Sequence, residues 1–484
     1  MADARTSAGI ADRGRTWIVL YLATAGVVIL LMMVFGLVMR LAQSEWIALD
    51  PAFYYQLLTV HGIGMVGIAA LGGVAVLWHY LSAHVALRPA ALAINLVLFL
   101  LGVAMILWAV FIGGFAPAWT FLYPLPAVGS SNGQWQAWSA VLDLTGVLLI
   151  GVGFLILCLE MGRGIVAAYG GLGRGLGWHV LFAGSKEKVP PPTVVAGTMV
   201  VIVTTLALIA GATIVAMTIL NVLFPALAID PLIAKNMIYF FGHTFINATI
   251  YMAVVVVYEL LPRITGRPWK TSKVFLAGWT LSTTMVLVIY PHHLLMDFAM
   301  PGWALAIGQV LSYVNSLPVL VVTGLGALAI LHRSGISWDV VSTLLLIAMF
   351  GWMAGVIPAV VDATISVNYV MHNTMWVPGH FHFYLLLGLL PMIFAFMLHL
   401  ARGEDVAAHG GDLSALLYLG FGLGFVAMFL LGGWASVPRR WAVHLPEWLV
   451  WDRIAAVMAV GVVVLATVFV VTFLLRIPRI LRHG

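Results

Sequence analysis

Roughly a dozen apolar runs make up most of this chain, at about 17–42, 56–82, 90–115, 138–162, 193–224, 233–262, 274–300, 303–332, 338–366, 376–402, 413–435 and 449–476. Each is long enough to cross a hydrocarbon core, which takes about 20 residues of helix. Lipid gives the backbone no hydrogen-bond partners, so a spanning run of this type must be helical. The expected fold class is an all-α membrane protein, a bundle of about 12 transmembrane helices. It forms one polytopic domain over residues 1–484, with short cytoplasmic tails at about 1–16 and 477–484. The largest loop, about 163–192, reads as a connection and not a domain, and no internal repeat stands out.

Composition excludes several classes. The chain is 63% hydrophobic and 8% charged, whereas a soluble domain carries about a quarter charged residues. Its net charge of +5 lies between the apolar runs, so membrane lipid is the expected partner and nucleic acid is not. The single cysteine, Cys158, sits inside an apolar run. One cysteine rules out an internal disulfide, a Cys-x-x-Cys-His haem attachment and a cysteine-built copper pair or iron–sulfur cluster. The polar residues 1–16 and the long first run do not read as a cleavable signal.

Charge orients the bundle. With a cytoplasmic N-terminus, Arg88, Arg163, Lys186, Lys188, Arg263, Arg267, Lys270, Arg333 and Arg402 all face inside. Only Arg40, Lys235, Arg439, Arg440 and Arg453 lie toward the outer side, as the positive-inside rule expects. Both termini are then cytoplasmic, and the setting is a bacterial or archaeal cytoplasmic membrane.

In that orientation six histidines fall in one layer near the outer side. They are His61 in span 2, His243 in span 6, His292 and His293 at the end of span 7, and His380 and His382 at the start of span 10. A lone histidine in an apolar helix is usually a hydrogen-bonded core residue. Six at one depth, including a His-His and a His-x-His pair, point to metal, because intramembrane ionisable groups are costly and default to function. Neutral imidazole suits copper, iron and haem iron. Successive helix residues turn by about 100°, so His380 and His382 point to opposite sides and one helix can serve two centres.

These residues resemble the catalytic subunit of the haem-copper oxidase superfamily over nearly the whole chain. The likeness is greatest to the B-type oxygen reductases and the nitric oxide reductases related to them. It rests on Leu57-Leu58-Thr59-Val60-His61-Gly62, Trp119-Thr120-Phe121-Leu122-Tyr123-Pro124, Gly242-His243, Pro291-His292-His293, His372 to His382, and Val437-Pro438-Arg439-Arg440. The resemblance implies that His61 and His382 hold a low-spin haem b, and that His380 alone holds a high-spin haem of b type or an a-type variant. It implies that His243, His292 and His293 hold a second metal, copper before non-haem iron, since no glutamate stands near His243. Arg439 and Arg440 would then pair with haem propionates, with His372 beside them. Where the family carries an acid four residues before His372, this chain has Asn368.

One further departure bears on the substrate. In most oxygen reductases of the superfamily a tyrosine follows the span-6 histidine by four residues, on the same helix face. It is covalently joined to that histidine and supplies an electron and a proton. Here that position is Asn247, and the flanking residues through Tyr258-Glu259-Leu260-Leu261-Pro262 stay in step. Complete cleavage of O₂ takes four electrons, and loss of the tyrosine leaves the site one short. Joining two NO molecules into N₂O and water takes two, which a reduced iron and a reduced second metal supply. Span 8 points the same way: around Leu317-Pro318-Val319-Leu320-Val321-Val322 it offers valines where B-type enzymes place proton-conducting hydroxyls. Tyr290, just before His292, is the one tyrosine that spacing puts forward as a substitute. Asp143 and Asp362 are intramembrane acids open to proton transfer or to a structural network, as Tyr258 and Glu259 are to proton entry or anchoring.

The expected function is therefore that of a membrane-bound nitric oxide reductase catalytic subunit, with His243, Asn247, His292, His293 and His380 at the reaction site. The alternative is a proton-pumping terminal oxygen reductase. NO, or O₂ in the alternative, is the substrate. An electron-donating subunit carrying copper or haem c on the outer face is the implied partner.

Overall fold

The computed structural model describes residues 2–118, 123–402 and 413–482, with side chains described from residue 14 onward and not at 316, 317 and 319. Residues 119–122 of the Trp119–Pro124 stretch, and the side chains of Leu317 and Val319, therefore lie outside the described residues.

Among the described residues there are twelve helices long and apolar enough to cross a membrane. They are α1 (Gly14–Gln43), α2 (Pro51–Leu81), α3 (Ala90–Phe111), α4 (Ala137–Tyr169), α5 (Pro192–Leu223), α6 (Pro231–Thr265), α7 (Lys273–Leu294), α8 (Gly302–Leu331), α9 (Val340–Asp362), α10 (Trp376–Arg402), α11 (Leu413–Trp434) and α12 (Pro446–Arg482). The count and order match the apolar runs. The ends differ: helix extends from Ala2 into α1, and α12 runs through Arg482, so most of both expected tails is helical. The loop after α4 holds two single-turn helices, Leu172–Gly175 and Trp178–Leu181.

Local chemistry sets the helix starts that matter for the site. Asp50 caps α2 by accepting from the backbone N–H of Ala52 and Phe53, with Pro51 at the first helical position. Asp230 and Pro231 do the same for α6. A carboxylate cap satisfies orphan N–H groups, and proline costs nothing where no N–H is needed. These caps fix where His61 and His243 fall in their helices.

Burial separates centre from rim. In the most apolar window of α6, 83% is buried, and in α10 78%; for α8 it is 27%. The two central helices carry His243, His380 and His382. The bundle is joined at its ends by a buried clasp between α1 and α12. Arg40 Nη1 lies 2.5 Å from Asp452 Oδ1, while His444 Nδ1 lies 2.7 Å from Asp452 Oδ2. Gln43 completes it, accepting from Arg40 and donating to the Tyr54 hydroxyl at 2.8 Å.

Among the described residues, two spans pass through a π-helix. α10 opens as a short helix over Trp376–His382 and continues as a π-helix over Phe383–Leu389. α8 does so over Leu320–Leu325, just after Pro318. Extra residues per turn commonly mark functional positions. Gly351 of α9 lies against the α10 π segment; a Cβ there would meet the Leu387 carbonyl oxygen at 2.2 Å, so only glycine permits this approach.

Candidate functional site

The ten residues expected at the metal, haem and reaction sites line one cavity of about 580 Å³: His61, His243, Asn247, His292, His293, His372, His380, His382, Arg439 and Arg440. Five separate parts of the chain thus converge, and α10 projects into the cavity with His380 and His382 on different sides.

On one side, the rings of His61 and His382 face each other with centroids 6.3 Å apart and planes 14° from parallel. Two metal–imidazole bonds of about 2 Å each, plus the inset of each nitrogen from its ring centre, account for such a separation. His61 Nδ1 donates to the Met32 carbonyl at 2.6 Å, and His382 Nδ1 to the Pro378 carbonyl at 2.7 Å. Fixing the proton on Nδ1 leaves the Nε2 lone pair of each ring for a shared metal. Gly36 closes the other side of His61: a Cβ there would come within 2.8 Å of its Cε1. Phe425 and Phe429 pack edge-on to His382.

On the other side, one donor atom from each of His243, His292 and His293 lies within 4.8 Å of the other two. His243 Nδ1 is 3.1 Å from His293 Nε2. His292 Nδ1 donates to Ser312 Oγ at 2.8 Å, and that hydroxyl donates to the Gly308 carbonyl at 2.6 Å, which again frees Nε2. The cluster holds three imidazoles and no thiolate or carboxylate, a donor set that suits copper. Asn247 Nδ2 lies 3.3 Å from His243 Nε2 and donates to the His243 carbonyl at 2.8 Å. Its amide therefore braces the ring from the face where a tyrosine four residues on would sit.

The outer lip is cationic. The loop after α11 is pinned to the segment before α10: Met375 N donates to Val437 O at 2.8 Å, and Arg439 N to Asn373 O at 2.9 Å. Arg440 takes a left-handed backbone, φ 67°, and its carbonyl accepts from the Tyr55 hydroxyl at 3.1 Å. The Arg439 side chain is held by the neutral Asn373 Oδ1 at 3.1 Å. Burial and the adjacent Arg440 push the Arg439 guanidinium down to about 10. A half-buried cation on a neutral acceptor fits a carboxylate-bearing ligand. Burial, then Arg439, holds His372 below the usual histidine range.

Several participants were not legible in the sequence. Tyr239 stacks on His293, ring centroids 5.7 Å apart and planes 17° from parallel. It stands four residues before His243, a same-face spacing that could have singled it out. Ser312, the acceptor for His292, gave no such signal. Tyr290 does not take the place of the missing tyrosine: its hydroxyl donates to Asn236 Oδ1 at 3.0 Å and its ring packs on Phe240. One residue beyond the valine-bearing stretch of span 8 there is a hydroxyl. The π segment of α8 brings Thr323 within 2.5 Å of the Tyr258 hydroxyl of α6. Glu259 is hydrogen-bonded by Thr193 and lies 3.8 Å from His84 and from Arg263. Asp143 is fully buried, and both its carboxylate oxygens lack a hydrogen-bond partner among the described residues.

Comparison with known proteins identifies the family and the fold. The family profile described as cytochrome c and quinol oxidase polypeptide I matches residues 16–464. Cytochrome c oxidase polypeptide 1 of Halobacterium salinarum is 24% identical over 477 residues, covering 92% of this chain and 74% of that protein. Cytochrome c oxidase subunit 1 of Thermus thermophilus is 27% identical over 173 residues, 32% of this chain; the aligned part spans 30% of that relative's length. The solved structure of a heme-copper terminal oxidase dimer superposes with a TM-score of 0.71 at 21% identity, covering 96% of this chain and 84% of that one. That likeness concerns the fold.

Proposed function

The chain belongs to the cytochrome c and quinol oxidase polypeptide I family, and from that premise we propose that it is the catalytic subunit of a membrane-bound nitric oxide reductase. The reaction is 2 NO + 2 H⁺ + 2 e⁻ → N₂O + H₂O. One observation carries this reading: the position beside the His243 ring belongs to the amide of Asn247, 3.3 Å from Nε2. An amide neither gives up an electron nor donates a proton to solution near neutral pH. The site is thereby suited to a two-electron reduction.

In this reading His61 and His382 hold the low-spin haem, His380 the high-spin haem, and His243, His292 and His293 a copper. When bound, the low-spin haem passes electrons, and the high-spin iron and copper together bind and reduce the small substrate. The chain's own groups hold them in place. Met32 and Pro378 fix the ring tautomers on one side, Ser312 fixes that of His292 on the other, the Asn247 amide packs beside the His243 ring, and Arg439 and Arg440 receive propionates. Electrons enter from a donor subunit carrying copper or haem c on the outer face. The setting is a bacterial or archaeal cytoplasmic membrane, with both termini inside.

Oxygen reduction is the second reading. The names of both relatives favour it. So does the Tyr239 ring against His293, a phenol placed to supply the fourth electron. The Tyr258–Thr323 contact likewise gives span 8 a hydroxyl for proton transfer.

The deciding experiment is anaerobic turnover of the purified complex with NO, set against O₂ consumption, with iron and copper quantified. Steady N₂O formation with slow O₂ uptake is expected. Rapid O₂ reduction with negligible N₂O would establish the second reading in its place.

A further inference from the structure

Three histidines of the cavity use Nδ1 differently, although each is assigned to haem iron. His61 and His382 donate Nδ1–H to neutral backbone carbonyls, those of Met32 and Pro378. For His380 the group facing Nδ1 is a carboxylate: Asp362 Oδ2 lies 3.7 Å away. Asp362 ends α9, and its other oxygen is tethered. Asn368 Nδ2 donates to Asp362 Oδ1 at 3.1 Å and to the Asp362 backbone carbonyl at 2.6 Å. Asn368 is itself buried, so the tether is part of the packed structure. Its amide stands at the position where the family carries an acid, and it aims the acid of this chain at His380.

We infer that Asp362 is a positioning residue that makes His380 an electron-rich axial ligand of the high-spin haem, a role the low-spin ligands lack. The inference rests on the assignment of that haem to His380. A carboxylate charge facing the N–H of a metal-bound imidazole raises its basicity more than a neutral carbonyl does. A more basic axial ligand favours ferric over ferrous iron and strengthens the iron–histidine bond. The high-spin iron thereby becomes a stronger reductant toward substrate. The carbonyl-backed low-spin haem keeps the higher potential suited to accepting electrons. Tuning is thus asymmetric across a single helical turn.

The test compares Asp362→Asn, Asp362→Glu and His380→Ala in the full complex, using resonance Raman of the ferrous high-spin haem and a spectroelectrochemical titration of both haems. Asp362→Asn keeps the volume and removes the charge. It is expected to lower the iron–histidine stretching frequency and raise the high-spin midpoint, with the low-spin midpoint unmoved. Asp362→Glu should restore both towards the starting values. His380→Ala should lose the high-spin iron–histidine band. If that band is lost in His380→Ala but unchanged in Asp362→Asn, the role of Asp362 is overturned while the haem assignment stands. If the band persists in His380→Ala, the assignment falls and the inference with it. Should Asp362→Asn fail to assemble, the unmodified protein still decides: a frequency in the range of carbonyl-backed histidines refutes the inference, and one above it supports the inference.

Discussion

The two sides of the cavity are built from the same side chain and held by different partners. Around His61 and His382 the fixed groups are backbone carbonyls, packed aromatic rings and a glycine. Around His243, His292, His293 and His380 they are side chains: Asn247, Ser312, Tyr239 and Asp362. A backbone carbonyl cannot be changed by substitution, while a side chain can. An electron relay needs a constant environment, and a reaction centre needs an adjustable one. On the proposed reading, the difference puts substrate choice in the side chains behind the histidines, not in the histidines themselves.

The comparison breaks most sharply at the histidines. His382→Ala is expected to remove the bis-imidazole optical signature and to stop turnover, with copper content retained. His292→Ala should do the reverse, losing copper and turnover while the low-spin spectrum persists. Simultaneous loss of both centres in either variant, with folding intact by gel filtration and helical circular dichroism, would refute the division into two sides. Ser312→Ala tests the supporting layer. Loss of such a partner typically costs about 10–100-fold in metal affinity or activity, and the effect should appear in copper retention alone. Substrate choice is sharpened by Asn247→Tyr and Tyr239→Phe. The first should lower N₂O formation several-fold. The second should leave it within about twofold, because ring packing survives loss of the hydroxyl. Abolished O₂ uptake in Tyr239→Phe would assign that hydroxyl to the second reading. The smallest effect is expected at Gly36→Ala, where the added methyl presses on His61. A shifted low-spin absorption band with unchanged copper content is the expected readout, and an unshifted band would show that the ring has room to yield.

Much of the fold could be read directly because its signals are local. Apolar length sets the span count, and six intramembrane histidines at one depth mark a site together. What escaped depends on contacts between distant segments. Asp362 reaches His380 only through the turn between α9 and α10, and Arg40 meets Asp452 from the opposite end of the chain. The hydroxyl of Thr323, on the π segment of α8, meets that of Tyr258 on α6, a contact between separate spans. The helices run past the apolar stretches at both ends, because polarity marks where a helix leaves the lipid, not where it stops. Tyr239 was within reach of sequence reasoning, since it shares a face with His243, but a tyrosine four residues before a ligand carries no signal without the partner ring.

His380 and His382 share one helical turn, and that turn is followed at once by the wider π coil. Any tilt or slide of the turn moves both rings together, so selection cannot adjust one centre's placement without disturbing the other. Variation must then enter through residues off that turn. The π coil fits this constraint as a slip joint: length changes and repacking in the remainder of α10 can be absorbed there before they reach the rings. A lineage that keeps this turn can exchange its chemistry one neighbour at a time and keep its wiring throughout.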